Sequence, residues 1–249
     1  MAALAPEILF HIGSFPITNT VTNTVLVDAV LILLAWYINK HASIIPSKFQ
    51  SAMELIIEGF YNLIESVSKT HTMRIFPYVM TFFLFILISN WSGLLPIITA
   101  IEWVGHGGHH EGEHMIPLFR SASTDLNTTL ALAFVSLVAT HTMSITTFGI
   151  KSYLSRFFSL NPMAMYTGLL ELISEFTKII SFSFRLFGNI FVGEVILATV
   201  SASTLFAFLL PVPIVMYEVF VGTIQATIFA LLTMAFMALF TTAHNAEGH

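Results

Sequence analysis

Glu171, Glu175, Lys178, Arg185 and Asn189 follow one another at steps of four, three, seven and four residues. On a helix that advances about 100° per residue, such steps keep all five on a face about 80° wide, and Gly193 continues it. Between Ser181 and Ala207 the only ionisable residues are Arg185 and Glu194, set among Phe, Leu, Ile and Val. A guanidinium keeps its proton at any working pH. In the middle of a bilayer it costs roughly 2.5–3.5 kcal/mol on insertion scales, so a chain keeps it there for a partner, a polar cavity or an ion path. Downstream, Glu218, Gly222 and Gln225 form a smaller polar face, about 60° wide by the same geometry. If the two helices pack antiparallel, Glu194 and Glu218 fall near one membrane face and Gln225 comes level with Arg185. Carboxylates can take up and release protons, and arginine cannot. The pattern is therefore an acid site towards each side of the membrane with a permanent cation between them.

These residues need long apolar helices to hold them, and the composition supplies such helices. Of 249 residues 56% are hydrophobic and 9% charged, mean hydropathy is +0.85, and Phe alone occurs 24 times. An average soluble domain carries about 25% charged residues. The absence of Cys excludes disulfides, thiolate metal sites and Cys nucleophiles. A net charge of -5 is too modest to suggest a nucleic-acid partner. No Lys or Arg precedes Lys40, which argues against a cleavable signal peptide. The expected organisation is a single integral membrane domain over residues 1–249.

The expected fold is all-α and polytopic. Spans are predicted over about 21–39, 75–101 and 126–150, with Asn90 inside the second. Longer helices are predicted over 163–201 and 213–243, each too long for a perpendicular crossing and hence strongly tilted, bent or interrupted. Residues 48–70 place Phe49, Met53, Ile56, Phe60, Leu63 and Val67 at helical steps, with Glu54, Glu58 and Glu65 between them. That is an amphipathic helix lying at the interface. Residues 102–125 read as a polar loop rich in Gly and His, and 151–162 as a short basic turn. Lys40, Lys48, Lys69, Arg74, Lys151 and Arg156 collect on one side of five crossings, leaving Arg120 alone in loops on the other. The positive-inside rule then places the N-terminus outside and the C-terminus in the cytoplasm.

Each polar residue also has a structural reading. Glu175 and Lys178 are spaced to pair with each other. Asn90 can serve as an interhelical hydrogen bonder, and Asp28 and Asp125 as helix-end or interface residues.

The run Ser183-Phe184-Arg185-Leu186-Phe187-Gly188-Asn189, continued by Gly193-Glu194, resembles the signature of subunit a of F-type ATP synthases. Asn90-Trp91-Ser92-Gly93-Leu94-Leu95-Pro96, Asp125-Leu126-Asn127-Thr128-Thr129-Leu130-Ala131 and the segment around Gln225 match the same family in order, across most of the chain. The resemblance implies a non-catalytic stator subunit beside a ring of rotor subunits c, with peripheral-stalk subunit b and the rest of the ATP synthase as further partners. Two offset half-channels would carry H⁺, with Na⁺ left open. Arg185 would attract the ring carboxylate and block direct leakage. Glu194, Glu218, Gln225 and Asn189 match positions of the outer path and the arginine's surroundings; Glu171 and Ser174 match positions towards the cytoplasmic exit. Lys178, Glu175 and Asn90 are supporting candidates. No cofactor, metal or nucleotide site is implied, and a bacterial inner membrane is favoured over an organelle. One departure stands out: bacterial relatives carry His where Glu218 stands, so the two glutamates here are candidates to share a proton.

His110-Glu111-Gly112-Glu113-His114 matches the zinc-protease pattern H-E-x-x-H. Gly107, Gly108 and Gly112 disfavour the helix that this chemistry needs, and a solvated loop is expected. The alternative function is a secondary transporter whose buried Arg binds an anionic substrate; no inverted repeat is evident in the sequence.

Overall fold

The computed structural model describes residues 6–13, 15–95, 101–104, 115–157, 162–201 and 211–242. It is predominantly helical, and five helices are long and apolar enough to cross a membrane. The chain opens with a small antiparallel hairpin, β1 (Ile8–Ile12) and β2 (Phe15–Thr18), pairing Ile12 with Phe15 and His11 with Pro16. Gly13 adopts φ +64° at its turn, a conformation that costs glycine little. Helix α1 (Asn19–His41) follows directly and ends on Lys40 and His41, cations suited to a helix C-terminus.

Helix α2 (Lys48–Val67) starts at Ser47, whose hydroxyl accepts from the Gln50 amide at 3.2 Å. It is not among the five apolar helices, in keeping with its row of glutamates. Helix α3 (Thr72–Ser92) stops nine residues short of the predicted end of its span. The apolar run continues past Ser92, but Gly93 turns the chain where a Cβ would sit 2.6 Å from the Cβ of Ser121. Residues 96–100 of the predicted span lie outside the described residues.

The predicted polar loop holds a second hairpin, β3 (Glu102–Val104) with β4 (Met115–Pro117), and a 3₁₀ turn over Ala122–Thr124. The H-E-x-x-H segment lies outside the described residues. Asp125 Oδ1 accepts from the Asn127 amide at 2.9 Å at the start of α4 (Leu126–Phe148), the helix-end role expected of it. Gly149, at φ +83°, closes that helix. The predicted basic turn is instead a short helix, α5 (Ile150–Phe157). Two long helices complete the fold, α6 (Pro162–Ser201, 40 residues) and α7 (Pro211–Thr242, 32 residues). At 1.5 Å per residue α6 reaches about 60 Å, twice a typical hydrocarbon core.

Contacts divide the chain into two compact units, one drawn from residues 1–39, 84–129 and 184–226, the other from 40–83, 130–183 and 227–249. The first is held by buried polar bonds. Asn23 Nδ2 donates to Ser92 Oγ at 2.9 Å, Ser121 Oγ to the Ser89 carbonyl at 3.1 Å, and Asn90 Nδ2 to the Gly222 carbonyl at 3.2 Å. In lipid, where apolar surface alone gives helices little reason to associate, small residues and interhelical hydrogen bonds take over that task. Gly222 shows both, since a Cβ there would meet the Cβ of Asn90 at 3.2 Å. In the second unit, Phe229 packs its ring 5.5 Å from Phe82 and 5.2 Å from Phe182, and Phe60 lies 4.6 Å from Phe83. Ser136 and Thr233 share a buried hydrogen bond at 2.8 Å.

Candidate functional site

On α6 the polar stripe divides according to what covers it. Ser174, Val192 and Ile196 lie within about 20° of Arg185 around the helix, and all four side chains are exposed. Asn189 is exposed as well. Glu175 and Gly193 lie about 80° to one side of Arg185, next to the buried Leu186, and both are buried. Glu171 and Lys178 are intermediate. Of the five residues that share a face by spacing, Arg185 and Asn189 are thus exposed, Glu175 is buried, and Glu171 and Lys178 lie between.

Glu194 and Glu218 line one cavity of about 780 Å³ in the first unit, together with Asn90 and Arg120. Arg120 Nε lies 3.0 Å from Glu194 Oε1 and 3.2 Å from Oε2, and Nη2 donates to Oε2 at 3.1 Å. Arg120 is 8% exposed and Glu194 34%. Glu218 is 7% exposed, and its Oε1 has no hydrogen-bond partner among the described residues. Its carboxyl fits because residue 193 is glycine: a Cβ there would lie 2.8 Å from Oε1 and 3.0 Å from Cδ.

Glu218 also lines a second cavity of about 200 Å³, shared with Asn90, Gly193 and Asn189. Asn189 Nδ2 donates to Gln225 Oε1 at 2.9 Å, which brings Gln225 near the level of Arg185, as expected if the two helices pack antiparallel. Asn189 stands one helical turn from Arg185. The two cavities therefore form a polar succession from Arg120 and Glu194, past Glu218, to the amide pair beside the arginine. Asn90 is a brace at the same place: besides its bond to Gly222 it accepts from Ser123 Oγ at 2.6 Å.

In the second unit, Lys178 Nζ lies 2.6 Å from Glu175 Oε1 and 4.0 Å from the centroid of the Phe236 ring. His141 Nε2 is 3.6 Å from Glu175 Oε2, and His141 Nδ1 is 3.0 Å from the Tyr153 hydroxyl. Tyr153, His141 and Glu175 line a cavity of about 280 Å³, which Glu171 and Ser174 do not border. This is the structural role that the three-residue spacing allowed for Glu175 and Lys178. Lys178→Met should lower stability by about 1–3 kcal/mol, because it takes one of two basic neighbours from a buried carboxylate and leaves only the more distant His141. The midpoint of heat-induced aggregation in detergent would drop, and the double variant Lys178→Met, Glu175→Gln should regain most of the loss. An unchanged midpoint in the single variant would count against the pair.

Sequence reasoning did not place Arg120, His141 or Tyr153. Arg120 carried a usable signal as the one basic residue in the loops assigned to the outer side: a cation between Phe119 and Ser121, close to a span, calls for an acid. His141 and Tyr153 meet only through the break at Gly149, and no spacing rule anticipates that.

The sequence pattern of the ATP synthase A chain family matches residues 21–238. The chain is 33% identical to ATP synthase subunit a of Moorella thermoacetica, over 98% of this chain and all of that one. It is 35% identical to the Mycobacterium bovis protein of the same name, over 89% of this chain and 86% of that one. With the Legionella pneumophila subunit a it shares 30% identity over 96% and 93%. Five apolar helices, the arginine motif on the sixth helix and full-length similarity agree: the chain belongs to the ATP synthase subunit a family, the proton-translocating membrane part of that complex and not its catalytic part.

Proposed function

We propose that this chain works as a single membrane domain whose Arg185 faces the carboxylates of a ring of rotor subunits c. On the outer side, Glu194, Glu218, Gln225 and Asn189 line the half-channel by which protons reach the ring. On the cytoplasmic side, Glu171 and Ser174 border the exit, and Ser174 shares the open edge of α6 with Arg185. Lys178, Glu175 and Asn90 hold the helices in register. Peripheral-stalk subunit b anchors the chain against rotation. The protein lies in a bacterial cell membrane with its N-terminus outside and its C-terminus in the cytoplasm, and the ion is H⁺.

The observation that supports this reading best is the pair of adjoining cavities that share Glu218 and end at Asn189, next to an arginine on an uncovered helix edge. A fixed cation there holds a passing carboxylate in its ionised form and stops protons from crossing straight between the two sides. A rotor site must then turn through the lipid between taking up its proton and releasing it. The length of α6 suits a helix that follows the curve of a ring.

The chain has no Cys, so a single introduced cysteine reports its neighbours without background. Val192→Cys, on the open edge beside Arg185, should form a disulfide with cysteines placed along the lipid-facing helix of subunit c in the assembled complex. Purification as a freestanding oligomer, or no cross-link at any ring position, would overturn the proposal.

A further inference from the structure

Among the described residues, Arg120, Glu194 and Glu218 are the charged side chains lining the larger cavity. Their charges sum to minus one when both glutamates are ionised and to zero when the set holds one proton. In a cavity walled mainly by apolar side chains an uncompensated charge is costly, so the neutral, singly protonated set is favoured. The geometry decides where that proton sits. Both oxygens of Glu194 lie against Arg120 N–H groups, which donate and cannot accept. A proton on Glu194 would put a donor against a donor. Glu218 Oε1, buried and without a hydrogen-bond partner among the described residues, faces no such conflict.

We propose that Arg120 is a positioning residue of the proton path: it fixes Glu194 as an anion and leaves Glu218 as the single outer group that takes up and passes on the proton. Hydronium in the cavity gives its proton to Glu218 and becomes water. The new O–H bond breaks when the proton moves on, past the Asn189–Gln225 pair, to a rotor carboxylate. The two glutamates are then unequal partners, in contrast to a symmetric pair that shares one proton. This rests on the outer path proposed above.

The test uses inverted membrane vesicles containing the whole complex, with ATP synthesis driven by an imposed proton gradient. The amount of this chain and of rotor ring in the membranes is measured alongside, and rates are expressed per assembled complex. Arg120→Gln and Glu194→Gln should each slow synthesis about tenfold or more, since each removes one half of a close charge pair. Arg120→Lys, which keeps the charge but loses the fork that meets both Glu194 oxygens, should fall between the parent and Arg120→Gln. The decisive variant is the double Arg120→Gln, Glu194→Gln. It should regain about tenfold over either single change, because it removes the pair together. A double variant as slow as Glu194→Gln alone would show that Glu194 itself carries protons and would overturn the proposal. Full activity in Glu218→Gln would instead sink the outer path itself, so the two failures read differently.

Discussion

Arg185→Ala should abolish ATP synthesis driven by a proton gradient, by more than about 100-fold, the scale on which a single preorganised electrostatic group acts. The arginine sits on the open edge of α6, within about 20° of Val192 and Ile196, so methyl replacement leaves the packed edge of the helix untouched. What it removes is a charge that no change of pH can switch off. A rotor carboxylate passing the gap would then have nothing to hold it ionised, and a proton could pass between the two sides without a turn of the ring. Loss of synthesis should therefore come with a rise in passive proton leak through the assembled complex. Arg185→Lys should also be severely impaired, because an ammonium can lose its proton when desolvated and lacks the planar fork. Normal synthesis in Arg185→Ala, measured per assembled complex, would contradict the role given to this residue.

Glu218→Gln should slow the same reaction by about 100-fold or more, the usual contribution of a positioned proton-transfer group being about 100- to 10,000-fold. Glutamine keeps the shape that fits against Gly193, so the change tests proton exchange and not packing. An amide cannot take up and hand on a proton in this range. Glu218 borders both cavities, and closing it to protons should cut the succession at its only shared acid. ATP-driven pumping should fall in parallel with synthesis, since one path serves both directions. An unchanged rate in either direction would remove Glu218 from the path.

Much of this was legible in the residues, for a physical reason. Lipid imposes long apolar runs and makes every interior charge conspicuous, so α1, α4, α6, α7 and the Arg185 stripe declare themselves. The arginine motif and its ordered companions gave the family. What the residues could not show was set by close approach and by partners distant in sequence. The close approach of Gly93 to Ser121, nearly thirty residues on, is one such contact. Helix α5 is too short, and its residues too polar on average, to stand apart from a turn. The 80° stripe was right as geometry, but its two edges differ because packing covers one of them: Glu175 is enclosed with Lys178 and His141, while Arg185 is not. Arg120 looked like an isolated loop cation until the fold set Glu194 against it. The transporter alternative rested on the buried arginine alone, and the full-length similarity to ATP synthase subunit a removes it.

The open edge of α6 also bears on how the protein is made. Phe184, Val192 and Ile196 expose greasy side chains around Arg185, a surface fit for a hydrocarbon-like neighbour carrying one acid. A guanidinium in the middle of a bilayer costs roughly 2.5–3.5 kcal/mol or more, and a neighbour of that kind would lower the cost. If Arg185 has the role proposed for it, a subunit without its neighbour is less at ease in the bilayer than an assembled one, a difference that membrane quality-control proteases can read.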